Sequence, residues 1–200
     1  MRDAVPQTTT RQAILDATDK LLARYGYKKM TIEDLAQEVG IGKGSVYLHF
    51  SSKQEIALSH IDRIIDRLRA NLRIIAAKPG KAERRLKEML IERVLFRFDS
   101  VQHYSQSVNE LLAAVRPQLL ERRKLYFAEE ARIIAGVIAE GQSKGAFRQG
   151  NAGDIAVTLL SATNALLPYS LSVVELGDRN DVLDRTKKTA DVLTRGISVQ

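Results

Sequence analysis

Three neighbouring residues, Lys43, Gly44 and Ser45, stand at the predicted start of a short helix. The lysine ammonium can donate hydrogen bonds to the O6 and N7 acceptors of guanine, and the serine hydroxyl can bond to either kind of base edge. Glycine has no side chain, so at Gly44 the backbone can approach a ligand closely. These residue types predict a surface that contacts base edges of double-stranded DNA.

Three short helices are predicted to position this triplet. The first begins at Thr9 and ends at Gly26, the second begins at Thr31, and the third covers residues 43–50. A tight turn beginning at Gly40 separates the second helix from the third. This is the arrangement of a helix-turn-helix, whose second helix enters the major groove of DNA.

The third helix also carries two polar aromatic residues, Tyr47 and His49. Because they lie two positions apart, their side chains diverge by about 200° around the helix axis. Val46 and Phe50 lie four positions apart and share one face, which we expect to point into the core. At least one of the polar pair must then face away from the core.

The stretch from Thr31 to Lys53 closely resembles the DNA-binding segment of the tetracycline-repressor (TetR/AcrR) family. Together with the first helix, the resemblance covers about 45 residues. The matching positions are Thr31, Leu35-Ala36, Gly40, Ile41, a small residue, Tyr47-x-His49-Phe50, and a lysine three residues later, Lys53.

The resemblance implies a role for several side chains. Tyr47 and His49 would contact DNA phosphates, and Lys53 would clamp another. Thr31 would bind a phosphate through the N-terminal amides of its helix, where the helix dipole favours an anion. On local grounds alone, Thr31 is a helix N-cap and Lys53 a solvated lysine. Gly42 departs from the pattern, since relatives carry Ser or Thr there; glycine caps a helix less well by a few tenths of a kcal/mol.

The formal net charge of +7 is concentrated between residues 53 and 87, which hold ten Lys/Arg against four Asp/Glu. A basic surface attracts anionic partners over long range. On one helix, however, Lys53 and Arg73 would stand roughly 30 Å apart. We therefore interpret most of this charge as long-range steering of DNA or as a solvated helix face.

Helix-period apolar patterns continue along the rest of the chain, and strand signals are weak. Apolar residues from Leu58 to Ile75 recur at spacings of three and four, which predicts one long helix from Lys53 to a stop at Pro79-Gly80. Further helices are predicted over 81–98, 101–115, 118–144, 152–175 and 180–197. The sequence thus predicts an all-α fold of about nine helices.

Two domains are expected within this fold. The first, residues 1–52, would be the N-terminal three-helix DNA-binding domain with the helix-turn-helix. The second, residues 53–200, would be a larger helical ligand-binding and dimerisation domain, with the helix from Lys53 as the connector.

The resemblance implies a cavity for a small-molecule effector in the larger domain. Arg97 and His103 would suit an anionic or polar group of that ligand. An aromatic residue at helical spacing is more often part of the core, and that alternative applies to each aromatic candidate. The candidates are Phe96, Arg97, His103, Tyr104 and Phe127.

The family also implies a homodimer that pairs its last two helices. Two-fold symmetry would present two recognition helices to a near-palindromic operator. Each of these last two helices carries a stripe of small and apolar residues on one face. Such stripes suit close helix packing, either between two subunits or inside one. Their members are Ile155, Leu159, Ala162 and Leu166 in one helix, and Val182, Thr186, Ala190, Leu193 and Ile197 in the other.

These observations predict a ligand-responsive transcription regulator, a repressor released from its operator by a small molecule. The alternative is a helical ligand- or partner-binding module without operator DNA binding. We do not expect an enzyme, a cofactor or a metal site, because the three histidines, His49, His60 and His103, are far apart and no catalytic motif stands out.

The chain contains no cysteine, which suits a reducing compartment, and no apolar run approaches the roughly 18 residues that span a bilayer. The sequence therefore predicts a cytoplasmic protein without a membrane partner.

Overall fold

The computed structural model describes residues 9–168 and 173–199. Residues 169–172, which fall in the helix predicted over 152–175, lie outside the described residues. The α-helices are α1 (Thr10–Lys29), α2 (Ile32–Val39), α3 (Lys43–Tyr47), α4 (Lys53–Ala76), α5 (Ala82–Val101), α6 (Ser105–Ala114), α7 (Arg116–Ser143), α8 (Ala152–Thr163), α9 (Val173–Leu176) and α10 (Arg179–Ile197). Short 3₁₀ turns cover Gln102–Tyr104 and Asn164–Leu166.

Within the described ranges no strand forms, apart from a single antiparallel bridge between Phe147 and Ser198. The predicted all-α fold is confirmed. Nine of the helices correspond to predicted ones, and the four-residue α9 overlaps the end of the helix predicted over 152–175.

The start and the break of α1 follow from two local signals. The Thr9 hydroxyl accepts a hydrogen bond from the Gln12 amide at 3.3 Å, which caps the helix at its predicted first turn. At Gly26 the backbone has φ +73°, a conformation that favours glycine. The helix was predicted to end there, and a further turn continues to Lys29 after the break.

The chain forms two compact units. The first contains the described residues up to Arg63 together with Gln106–Leu119, and the second contains Ile64–Ser105 and the described residues from Leu120 onwards. The predicted domains, 1–52 and 53–200, divide the chain where the DNA-binding motif ends, at the start of α4. The two compact units instead divide within α4, between Arg63 and Ile64.

The core of the first unit comes from the apolar faces of α1 to α4. Ile14, Leu35 and Val46 are fully buried, each from a different helix. Arg63 of α4 fastens α1, since its guanidinium forms an ion pair with Asp16 and donates a 2.8 Å hydrogen bond to the Leu15 carbonyl. These contacts fix the position of α1 against α4 within the first unit.

The second unit is built around the apolar stripe predicted for α4. Leu68 and Leu72 are fully buried in a cluster with residues of α5, α7 and α8, such as Met89, Ile138 and Leu160. The prediction of one long helix with an inward-facing stripe is confirmed.

The stripes predicted for the last two long helices are used within this unit. Leu159 of α8 and Val182, Thr186 and Ala190 of α10 are buried within a single subunit, so they are not open to a partner. The other members are less enclosed: Ile155, Leu166, Leu193 and Ile197 are half-buried, and Ala162 is exposed. Packing inside one subunit therefore accounts for most of the α10 stripe, because α10 lies against α5, but not for Ala162 of α8.

The helix predicted over 152–175 is interrupted. Helix α8 ends at Thr163, and a 3₁₀ turn follows it. Leu167, directly before Pro168, has an extended backbone (φ −90°, ψ 144°). A proline disfavours helical conformation in the residue before it, which explains the break.

Candidate nucleic-acid interface

Helices α2 and α3 form a helix-turn-helix whose ends are fixed locally. The Thr31 hydroxyl accepts from the Asp34 amide at 3.1 Å, while the Asp34 carboxylate accepts from the Thr31 amide at 2.9 Å. This capping box starts α2. Gly40 ends α2 with φ +76°, in the left-handed region, and its N–H bonds back to the helix. Gly42 opens α3 without a side-chain cap, as its identity predicts.

The triplet at the start of α3 lies at the surface. Lys43 and Gly44 are exposed and Ser45 is half-buried. No heavy atom lies within 4 Å of the position that a Cβ on Gly44 would occupy. The first turn of α3 therefore has open space around it, which a base edge could enter.

Lys43 is not free in this surface, because its ammonium forms an ion pair with the carboxylate of Glu33 on α2. The hydrogen bond to Lys43 lowers the pKa of Glu33, and the reciprocal bond raises the pKa of Lys43. Both groups are thus charged at neutral pH. Glu33 is a residue that the motif did not single out; a carboxylate one helix away can be paired with Lys43 only once the turn is folded.

Tyr47 and His49 both lie outside the core. Tyr47 is 48% exposed, and His49 is exposed. Val46 and Phe50 are buried on the opposite side, as predicted from their spacing. The guanidinium of Arg11 lies 4.8 Å from the centre of the Phe50 ring and covers it. Tyr47 and His49 are therefore available for contacts outside the protein.

Lys53 lies at the start of α4 in a defined position. Its ammonium is 4.5 Å from the centre of the Tyr27 ring and donates a 3.3 Å hydrogen bond to the Lys28 carbonyl. Burial lowers the pKa of Lys53, and the charge of Asp34 partly opposes this. Because Asp34 also accepts from the Thr31 hydroxyl at 2.7 Å, Lys53 and the N-terminus of α2 belong to one electrostatic group. A solvated lysine would have none of these contacts.

One further residue of this surface was not indicated by the family motif. Leu48 is 84% exposed, although leucine usually lies in the core. It stands between Tyr47 and His49 and two positions from each of the buried residues Val46 and Phe50. The helical spacing alone places it on the outer face, so this residue could have been found from the sequence.

The residues predicted to bind an effector occupy several environments in the second unit. Phe96 and Phe127 are partly buried and pack against the main apolar cluster. Tyr104 is 5% exposed, and the ring of His103 meets it edge-on at 4.8 Å between centroids. These contacts are compatible with core packing and leave the effector contacts as a prediction.

Arg97, the fifth candidate, lies in a buried network of charges. Its guanidinium pairs with Glu130, which also accepts from Arg93 Nε at 2.9 Å. All three side chains are at most 4% exposed. Arg93 also donates to the Thr163 hydroxyl and the Asn164 side-chain oxygen, each at 2.7 Å. The network joins α5, α7 and the end of α8.

This network contains two positively charged guanidinium groups and one negatively charged carboxylate. Burial, together with the nearby charge of Arg97, lowers the pKa of Arg93 to about 10. Burial would raise the pKa of Glu130, but the charges and hydrogen bonds of the two arginines outweigh it and lower that pKa. Glu130 is therefore ionised at neutral pH. The Nε of Arg97 is buried without a hydrogen-bond partner in the described part of the chain.

Two kinds of feature do not occur among the described residues. No group of three or more His, Cys, Asp or Glu side chains there could hold a metal ion. No helix in the same ranges is long and apolar enough to cross a membrane.

This chain is similar in sequence to known bacterial regulators. Residues 14–59 match the family model described as bacterial regulatory proteins, tetR family. The HTH-type transcriptional repressor KstR2 of Rhodococcus jostii is 28% identical, over 80% of this chain and 79% of its own length. The HTH-type transcriptional repressor NicS of Pseudomonas putida is 27% identical, over 94% of this chain and 92% of its own.

The fold has solved counterparts. A transcriptional regulator from Cytophaga hutchinsonii superposes with a TM-score of 0.77, over 93% of this chain and 97% of its own, at 23% identity. The helix-turn-helix lies inside the matched segment, and both repressors align with most of the chain. Residues 14–59 of this chain thus belong to the tetR family of bacterial regulatory proteins, and the chain as a whole resembles transcriptional repressors of that type.

Proposed function

We propose that this protein is a homodimeric repressor that binds a near-palindromic operator through α2 and α3 and is released by a small molecule. The observation that carries DNA binding is the outer surface of α3 and the turn after it. Lys43, Gly44 and Tyr47 are exposed on α3, which a tight turn joins to α2, and His49 is exposed two residues after α3 ends. A recognition helix presents such groups to the major groove.

The individual roles follow from the geometry and the family pattern. Lys43 and Ser45 would contact base edges, and Gly44 would let the backbone approach. Tyr47 and His49 would donate hydrogen bonds to phosphates. These contacts would position the helix, since phosphate contacts fix the register and base contacts provide specificity.

A second group of phosphate contacts would come from the N-terminus of α2. Thr31 and Lys53 would bind one phosphate there, with the helix dipole favouring the anion. The Tyr27 ring below Lys53 holds the ammonium in place, so little side-chain entropy is lost when the phosphate binds.

DNA binding can be tested by fluorescence anisotropy with a labelled duplex selected from a randomised library, at several salt concentrations. Wild type should bind tightly, and affinity should fall steeply with salt because counterions are released. The double variant Tyr47→Ala, His49→Ala should bind at least tenfold more weakly. Tyr25→Ala is the matched control, because Tyr25 is 45% exposed on α1 but outside the motif.

The test distinguishes the main alternative. Failure of wild type to select any duplex would favour a helical ligand- or partner-binding module without operator DNA binding. Equal loss of affinity in the Tyr25 control would show that the effect is not specific to α3.

The dimer is proposed on the outer faces of α8 and α10, because eight of the nine stripe residues predicted for it are buried or half-buried inside one subunit. Val157 of α8 is 43% exposed and Val192 of α10 is 70% exposed. Apolar groups of this kind suit a two-fold interface between helices. The paired substitutions Val157→Glu and Val192→Glu should produce monomers in analytical ultracentrifugation. The control Val199→Glu should remain dimeric.

The effector is proposed to bind in the second unit. Helix α4 begins at Lys53 and supplies Leu68 and Leu72 to the core of that unit, so it is the element expected to carry the response. An effector needs a differential affinity of only a few kcal/mol for the two states. A compound that raises the melting temperature but leaves operator affinity unchanged would not be the effector.

As a regulator of transcription the protein would act where the chromosome is, in the bacterial cytoplasm, and no step of this proposal needs a catalytic group or a cofactor.

A further inference from the structure

Leu48 is the most exposed of the large apolar side chains in the described residues, at 84%. Its backbone is still helical (φ −69°, ψ −23°), and its N–H donates to the Gly44 carbonyl at 3.2 Å. Leu48 is thus the C-cap residue of α3 and keeps the helical conformation, and the fold makes no use of its side chain.

The direction of Leu48 follows from helix geometry. Successive residues are separated by about 100° around the axis. Leu48 therefore lies about 160° from both Val46 and Phe50, whose buried side chains define the inward direction. It points almost directly away from the core.

The neighbours of Leu48 divide the outer face into three parts. Tyr47 and His49 lie about 100° to either side of it. Their polar groups can reach the phosphates that border a groove, while the side chain between them faces the floor of that groove. Leucine has no hydrogen-bonding group, so its partner there must be apolar.

Gly44 provides space beside this side chain. It lies one turn before Leu48, about 40° away around the axis. No heavy atom lies within 4 Å of a Cβ placed on it. The bare backbone of Gly44 and the side chain of Leu48 leave room for a methyl group between them. In the major groove the C5-methyl group of thymine is the apolar group that base pairs present.

We propose that Leu48 is a specificity-determining residue that contacts the C5-methyl group of one thymine in each half of the operator. This inference rests on the proposed function, since it requires α3 to enter the major groove. It adds to that function a base preference that Lys43 and Ser45, as hydrogen-bond donors, do not supply.

The test removes the methyl group from the DNA rather than from the protein. A duplex selected from a randomised library by wild type is resynthesised with each thymine in turn replaced by deoxyuridine, which keeps every hydrogen bond of the base pair. At one thymine per half-site, wild type should lose affinity about three- to fivefold, the amount expected for one buried methyl group.

The variant Leu48→Ala completes a double-mutant cycle. It should bind the thymine duplex more weakly by a similar factor, and deoxyuridine at the same position should cause no further loss. Leu125→Ala is the matched control, because Leu125 is a 67% exposed leucine on α7; it should respond to deoxyuridine as wild type does.

Three results would overturn the proposal. Wild type could be indifferent to deoxyuridine at every position, or Leu48→Ala could remain as sensitive to it as wild type. Alternatively, Leu48→Ala could keep its DNA affinity but change the sedimentation coefficient, which would assign the side chain to a protein interface. Failure of wild type to select any duplex is a different outcome, because it contradicts the proposed function itself.

Discussion

Lys43 and Glu33 form an ion pair across the turn between α2 and α3. The cation expected to contact a guanine is therefore held by a carboxylate of the same motif in the free protein. On the proposed function, DNA would compete with Glu33 for this ammonium, and Glu33 would also place a negative charge near the phosphates of the bound DNA.

The first prediction concerns this competition. Glu33→Gln should strengthen binding to the selected duplex about two- to fivefold, the range of a surface ion pair, because Lys43 is released and a repulsive charge is lost. Anisotropy titrations at one salt concentration measure the change. Glu121→Gln is the matched control, since Glu121 forms an exposed pair with Lys124 and should have no effect. Weaker binding by Glu33→Gln would show that Glu33 positions Lys43 productively.

Two glycines of the motif should respond in opposite ways to alanine. Gly44→Ala should leave stability unchanged or raise it by up to about 1 kcal/mol, because the site is helical with open space around it. The same change should weaken DNA binding, since the added methyl group lies between the helix and the bases. Gly40→Ala should lower stability by about 1 kcal/mol, because its φ of +76° strains any side chain. Urea unfolding and anisotropy separate the two effects; a Gly44→Ala variant with normal affinity would contradict the close approach.

Glu130 should be essential for stability. Glu130→Gln leaves Arg93 and Arg97 buried without a counter-charge, and breaking such a pair costs about 3 to 5 kcal/mol. Urea denaturation followed by circular dichroism measures the loss. The neighbouring Glu129→Gln is the control, because Glu129 pairs with Arg132 at the surface and its removal should matter little. Equal stability of the two variants would show that the buried carboxylate is dispensable.

The pH dependence of stability follows from the same carboxylate. The pKa of Glu130 is lower in the folded protein than its ordinary value, which is about 4.3 in an unfolded chain. Its stabilisation is therefore complete above that pH and is lost as the pH falls through the lower, folded pKa. The difference in unfolding free energy between wild type and Glu130→Gln should shrink as the pH is lowered from about 5 to 3. A difference independent of pH would mean that the charge of Glu130 is not what stabilises the fold.

A buried hydroxyl should be removable without loss. The Tyr27 side chain is 6% exposed, and within the described residues its hydroxyl has no hydrogen-bond partner. Burial accordingly raises its pKa. Tyr27→Phe should keep the ring below Lys53 and raise the free energy of unfolding by up to about 1 kcal/mol. Equilibrium unfolding in urea measures this, and a destabilised variant would show that the hydroxyl is satisfied by bound water.

Much of the fold could be predicted because its signals are local. Thr9 and Thr31 start their helices by bonds to residues three positions away, and Gly40 ends one through its own backbone. The apolar stripe of α4 could be predicted from the spacing of its residues alone. The break after Thr163 could be predicted less well, because Pro168 indicates that the helix is disrupted but not how many residues the disruption covers.

The rest depends on residues that are distant in sequence. Arg97 was expected to meet a ligand, whereas its counter-charge Glu130 lies 33 positions later and on another helix. The burial of Val182 and Ala190 depends on how α10 packs on α5, which the stripe itself does not specify. At the candidate interface, the family motif indicated Tyr47 and Lys53 but not Glu33, whose effect requires the folded turn.

The buried trio of Arg93, Arg97 and Glu130 also constrains how this sequence can diverge. Losing Glu130 leaves two buried guanidinium groups without a counter-charge, whereas losing one arginine still leaves one ion pair with Glu130. Replacing all three with apolar residues of similar volume can be neutral or stabilising. A route that removes Glu130 first therefore passes through the least stable sequence. Among close relatives of this protein, Glu130 should not be lost while both arginines are retained, so that the order in which the three positions change is constrained.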